Sequence, residues 1–270
     1  MNSARCPALR FATAGQLRLR THVMRNQPSQ TLWHQSRERI GDNSPGVYKF
    51  FYRLLIPIWT DVGDAKMNMT GSAVAMAHND DLYVITARHV LDQSPQPRLQ
   101  FGKTLSRLEG EALFPFIETP DRKIRLDIAL IKPIPRLADK IKAEKIIIAS
   151  SQLGYPKDPL STSFFIAGCI TSKSKHVPSS NLLRTHVMVH ALTVTPTNDN
   201  QLGLLLPFKR PDGTDLPSPH GLSGAPILFM AGNDLLIAGF NTMGIPISDE
   251  GYVLGYQSAP VIASFLSRDG

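Results

Sequence analysis

A serine held between glycines, Gly221-Leu222-Ser223-Gly224, follows a turn-rich segment containing Pro211, Gly213, Pro217 and Pro219 and leads into the apolar run 227–230. Such a serine lies where the backbone turns tightly and where another chain can approach closely. Its hydroxyl is a poor nucleophile until a base takes the proton. The chemistry therefore also calls for a histidine in reach, an acid to orient it, and N–H donors for the oxyanion.

Eight histidines are available. His22 and His34 fall in the N-terminal tail, His78 in a polar turn and His176 in a Lys/Ser loop. His186 and His190 alternate with Val187 and Val189, as on the surface face of a strand, and His220 directly precedes the tight turn. His89 differs, because it follows the strand-like run 82–86 and opens Ala87-Arg88-His89-Val90-Leu91. A base at the end of a core strand is held rigidly, as proton transfer requires. Among the acids, Asp127 alone is embedded in an apolar run, Leu126-Asp127-Ile128-Ala129-Leu130-Ile131. A buried carboxylate is costly without a partner, and an acid in that setting can hold an imidazole tautomer and stabilise the imidazolium.

The order His89, Asp127, Ser223 excludes other hydrolases. An α/β-hydrolase places its histidine after the serine, and no histidine follows Ser223. A subtilisin-type order needs a core aspartate before the histidine, and none precedes His89. Metal-binding spacings such as H-E-x-x-H are absent, so no metal and no cofactor is expected.

The elements that must position these residues read as strands. Residues 70–77 and 82–86 form two runs joined across His78-Asn79-Asp80-Asp81, a hairpin turn by composition. Short apolar runs continue at 99–101, 112–117, 127–131, 146–149, 164–170, 182–194, 202–206, 227–230, 235–242 and 252–256. With turn signals between them, this is the pattern of an all-β sandwich or barrel set. Residues 259–266, apolar at 261, 262, 265 and 266, alone suggest a short helix, at the C-terminal end.

The net charge of +7 is unevenly spread. Residues 1–49 hold eight Lys/Arg against Glu38 and Asp42, and residues 50–270 hold 21 basic and 20 acidic side chains. A nearly neutral body argues against a nucleic-acid groove. Residues 1–45 carry no strand or helix periodicity. They fit an unstructured basic arm, an organelle presequence, or an over-extended start with Met24 as the alternative. No secretory signal and no membrane-spanning stretch is found, so a soluble protein is expected, cytoplasmic or organelle-targeted. The two cysteines, Cys6 and Cys169, make no disulfide framework, and Cys169 reads as a small buried residue.

Three segments carry a resemblance. Thr86-Ala87-Arg88-His89-Val90 resembles the TAAHC motif of trypsin-like serine proteases, Asp127-Ile128-Ala129-Leu130-Ile131 their DIALL motif, and Gly221-Leu222-Ser223-Gly224-Ala225-Pro226 their GDSGGP. They occur in the family's order over about residues 47–266, closest in texture to bacterial and organellar members without disulfides. The resemblance implies two antiparallel six-stranded Greek-key barrels with the active site in the cleft between them. Residues 46–150 would form the first barrel and 151–270 the second, with its C-terminal helix. It implies a serine endopeptidase acting on polypeptides, with His89, Asp127 and Ser223 as triad and the N–H groups of Gly221 and Ser223 as oxyanion hole. Gly239, Phe240 and Asn241 would pair with the substrate strand. Leu222 replaces the acid of GDSGGP, so no buried carboxylate awaits a new N-terminus and propeptide activation is not expected. Pro217 stands where trypsin-like preference needs an aspartate, so cleavage after Lys or Arg is not expected either. The competing expectation is a non-catalytic module of the same fold that binds peptides or partners through its cleft.

Overall fold

A computed structural model describes residues 45–267 apart from 65, 120–121, 178–181, 197–201, 211–212 and 248–249. Residues 1–44 of the expected N-terminal arm lie outside these residues, and Pro45 opens the first helix among those described.

The elements in chain order are α1 (Pro45–Leu54), β1 (Leu55–Asp61), β2 (Met67–His78), β3 (Asp81–Thr86), α2 (Arg88–Asp92), β4 (Arg98–Phe101), β5 (Thr104–Arg107), β6 (Gly110–Leu113), β7 (Phe116–Thr119), β8 (Arg122–Arg125) and β9 (Ala129–Pro133). There follow α3 (Pro135–Glu144), β10 (Ile147–Ala149), β11 (Phe164–Cys169), β12 (Lys175–Val177), β13 (Leu182–Arg184), β14 (Val187–Pro196), β15 (Leu202–Pro207), β16 (Pro226–Ala231), β17 (Asp234–Ile247), β18 (Gly251–Ser258) and α4 (Ala259–Leu266).

The architecture is all-β with a short C-terminal helix. Strands β11-β14-β15-β18-β17-β16 close into a six-stranded antiparallel barrel. Its order is that of a Greek key, because β15 lies beside β18 and the chain must cross over to reach β16. That crossover carries Gly221 and Ser223. The first sheet runs β5-β4-β1-β2-β3-β9-β6, with β10 added parallel to β2, and it curls without closing. It thus has eight strands where six in a closed barrel were expected. β5 and β6 form its two ends and do not pair with each other; each has four residues, with Leu105 and Leu113 packed against the shared cluster.

Several strands are buried on both faces, which is why they read as continuous apolar runs rather than alternating ones. β1 shows how this arises. Ile56 and Ile58 turn into a core made only of first-sheet and neighbouring residues, including Val84, Leu99 and Ile141. Leu55 and Trp59 turn the other way, into a cluster shared with Phe165, Leu228, Ile237 and Phe240 of the barrel. The barrel interior holds a third cluster, around Ile166, Leu204, Leu222 and Ile227. The shared cluster fastens the two halves face to face.

Three helices, α1, α2 and α3, were not read from the sequence. In α1, Phe50, Phe51 and Leu54 share the buried face, and Phe51 meets the Phe165 ring edge-on at 6.2 Å between centroids. Where α1 passes into β1, Lys145 Nζ donates to Tyr52 O at 3.2 Å and to Leu55 O, the first carbonyl of β1, at 2.7 Å. In α3, proline opens the helix and Leu137 and Ile141 recur at the i, i+4 spacing of a single buried face. Among the described residues no helix is long and apolar enough to cross a membrane.

Candidate active site

Strand pairing brings the first two site residues together. β3 runs antiparallel to β9 with Thr86 opposite Ala129. The residues just after β3 and just before β9 therefore share one end of the sheet, and these carry His89 and Asp127. His89 lies in α2, whose Val90 is buried and fastens the turn of helix to the sheet. Asp127 sits in a bend between Leu126 and Ile128, both buried, which fix its backbone while its carboxylate reaches His89. The side chains of His89 and Asp127 are each 33% exposed. Asp127 is thus at the rim, short of the fully buried position its apolar neighbours suggested.

Asp127 holds His89 at two points. Its Oδ1 accepts the His89 backbone N–H at 2.9 Å, and its Oδ2 lies 2.7 Å from ring Nδ1. The opposite nitrogen, Nε2, lies 2.9 Å from Ser223 Oγ. With Nδ1–H donated to the carboxylate, Nε2 presents its lone pair to the serine hydroxyl, the arrangement a general base needs.

Ser223 is carried on the second half of the chain. A turn closes with Leu222 N–H donating to Pro219 O at 3.0 Å. Gly221, at its third position, has φ +96°, the left-handed value that this turn type demands of glycine. A Cβ there would also lie 2.7 Å from Cys169 O. Gly224 is equally constrained, since a Cβ would lie 2.1 Å from Ser72 O. That close approach lets β2 reach the loop, where Ser72 N–H donates to Ser223 O at 2.8 Å. The Thr171 N–H donates to His220 O at 2.9 Å. Carbonyl and N–H of a trans peptide point opposite ways, so the Gly221 N–H is directed away from Thr171. Among the described residues the N–H groups of Gly221 and Ser223 meet no acceptor.

Gly239, Phe240 and Asn241, expected to pair with a substrate strand, already lie between neighbouring strands. Gly239 and Phe240 are flanked on both sides, by β16 and by β18, and Phe240 is fully buried. Asn241 N–H donates to Ala225 O, and Asn241 O accepts Gly224 N–H. These three residues lie within the sheet between β16 and β18, Phe240 turning into the cluster shared by the two halves, and the main-chain groups of Asn241 are already engaged. β16 ends at Pro226, opposite Phe240, and past Asn241 the ladder of β17 continues on the β18 side only. The open edge begins there, where Met243 is 51% and Ile245 54% exposed. A bulge between Asn241 and Met243 marks the change, and nothing in the alternation of this apolar run announced it.

His78, read as a solvated turn residue, is half-buried with Nδ1 2.9 Å from Ser150 Oγ. Cys169 is buried as expected, and burial pushes its thiol up to about 12, so it is no thiolate. Among the described residues no three His, Cys, Asp or Glu side chains cluster as metal ligands would.

No protein-family model and no curated sequence matches the chain. Solved structures do. The MamO protease domain from Magnetospirillum magneticum is 15% identical with a TM-score of 0.44, over 79% of this chain and 95% of that one. A serine endoprotease from Yersinia pestis is 15% identical with a TM-score of 0.46, over 88% of this chain and 67% of that one. The thermostable serine protease AL20 from an extremophilic microorganism is 11% identical with a TM-score of 0.47, over 80% of this chain and 96% of that one. The solved structures that this chain resembles are serine proteases of the trypsin and chymotrypsin fold.

Proposed function

We propose that the chain is a serine endopeptidase whose nucleophile, base and orienting acid are Ser223, His89 and Asp127. One observation carries the reading: His89 lies within hydrogen-bond distance of Asp127 through Nδ1 and of Ser223 through Nε2. In this account residues 46–150 supply the base and acid, and residues 151–270 supply the nucleophile and the oxyanion donors.

Ser223 Oγ attacks the carbonyl carbon of a peptide bond as its proton passes to His89 Nε2. The carbonyl oxygen takes up the negative charge and is held by the N–H groups of Gly221 and Ser223, donors of a kind worth about 3–4 kcal/mol each in transition-state stabilisation. Collapse breaks the C–N bond, His89 delivers its proton to the leaving amine, and an acyl-enzyme remains. Water, deprotonated by His89, then releases the acid and restores Ser223. Asp127 keeps the imidazole in the tautomer that faces the serine and stabilises its protonated form. The polypeptide adds as a strand to the open edge of β17 around Met243–Ile245, so main-chain hydrogen bonds give affinity and side-chain pockets give selectivity.

Ser223→Ala tests the assignment. The variant should melt as the wild type does and lose turnover of an unfolded protein substrate. Undiminished turnover would remove Ser223 from the mechanism.

A further inference from the structure

Few polar side chains are buried in the described core, and two of them reach into the loop that carries Ser223. Ser72, on β2 of the first sheet, is fully buried. Its Oγ donates to Gly221 O at 2.8 Å and accepts the Cys169 N–H at 2.8 Å. Its own N–H holds Ser223 O. Asn241, on β17, is 2% exposed, and its Nδ2 donates to Leu222 O at 3.1 Å. The amide orientation follows from that contact, because only the NH₂ end can face a carbonyl.

Each bond sets a peptide plane. With Leu222 O facing Asn241 Nδ2 and the Ala225 N–H, the Ser223 N–H must face the other way. With Gly221 O facing Ser72 Oγ, the preceding peptide plane is set so that the Leu222 N–H on its other side closes the turn onto Pro219 O. Ser72 thus grips the loop from one half of the molecule and Asn241 from the other.

Asn241 also carries a hydrogen-bonding cost. Its Oδ1 is buried and accepts nothing among the described residues. An unsatisfied buried acceptor is costly, and an apolar side chain of similar shape would avoid that cost. Stability alone therefore gives no reason for an amide here, whereas a donor aimed at Leu222 O does.

Resting on the serine-endopeptidase reading, we infer that Ser72 and Asn241 are positioning residues that hold the oxyanion loop open without any activation step. They perform in this chain what no acid at position 222 can, since Leu222 is itself buried in the barrel core.

The test compares Asn241→Leu and Ser72→Ala with the wild type in three measurements: kcat and KM on a peptide substrate, the labelling rate with a fluorophosphonate, and thermal melting. Misaligning one donor should lower kcat and the labelling rate about tenfold, a fraction of the full loss of an oxyanion donor. KM should stay within about twofold, because the substrate edge of β17 is untouched. The Asn241→Leu variant should melt at or above the wild-type temperature, an outcome that a merely structural asparagine would not give. Ser72→Ala leaves the Cys169 N–H unpaired and should melt lower, so Asn241→Leu separates the two effects. Wild type and both variants labelled at equal rates would overturn the clamp and leave the nucleophile standing. So would a loss of kcat in Asn241→Leu that merely followed a lower melting temperature. A folded wild type that takes no label would overturn the nucleophile, and the clamp with it.

Discussion

Asp127 binds His89 by both carboxylate oxygens, one on the backbone N–H at 2.9 Å and one on ring Nδ1 at 2.7 Å. The first bond fixes where the helix turn α2 begins, and the second fixes how the ring is rotated. An amide in place of the carboxylate would keep the shape and present an N–H where an acceptor is needed. In Asp127→Asn the ring would be driven to the tautomer that shows N–H to Ser223. Turnover should then fall by about 10⁴-fold at neutral pH, with little change in melting temperature. Steady-state kinetics beside a thermal melt would check both halves.

Gly221 should not tolerate a side chain. Alanine would have to adopt φ +96° and would press on Cys169 O, so the turn must rearrange. Gly221→Ala is expected to lose about 1–3 kcal/mol of stability. Turnover should fall at least about 100-fold, as when an oxyanion donor is removed. Denaturant unfolding and a turnover assay would measure the two effects.

The open edge of β17 offers a different signature. Met243 and Ile245 are more than half exposed and lie past the point where β16 ends. Truncating both to alanine should raise KM several-fold while leaving kcat and the melting temperature near wild type. The same change at Phe240, which is fully buried, should instead cost about 3–5 kcal/mol of stability.

Lys145 gives a pH dependence with a definite sign. It is 6% exposed, and burial lowers its ammonium from the ordinary 10.5 to about 8. Between those values the folded chain has shed this proton while the unfolded chain still holds it. Stability from this group therefore rises with pH across that window, and below it both states are protonated and the contribution is flat. The melting temperature of the wild type relative to Lys145→Met should accordingly climb between pH 8 and 10. A constant difference would contradict the account.

Much of the architecture was legible because burial on both faces leaves a plain mark. Strands such as 82–86 and 227–230 read as short apolar runs, and they occur where they were expected, in β3 and β16. His89 and Asp127 stood out through position, one after such a run and one inside another. Other features depend on contacts between distant segments. α1 hides its period because Phe50, Phe51 and Leu54 are followed at once by β1, buried from Leu55 to Thr60. Gly239–Asn241 and Met243–Ile245 belong to one strand, and only the end of a neighbouring strand divides interior from open edge. Ser72 was not singled out in the sequence, and Asn241 was expected to pair with substrate rather than to hold the serine loop. Their partners are 149 and 19 residues away.

The most direct measurement is mass-spectrometric mapping of a fluorophosphonate adduct on the full chain, wild type beside Ser223→Ala and His89→Ala. The reagent forms its P–O bond, with loss of fluoride, at a serine whose proton a neighbouring base removes. The account predicts a single adduct on the peptide containing Ser223, absent in Ser223→Ala and strongly reduced in His89→Ala. A folded wild type without adduct, or an adduct that persists when His89 is removed, would contradict it.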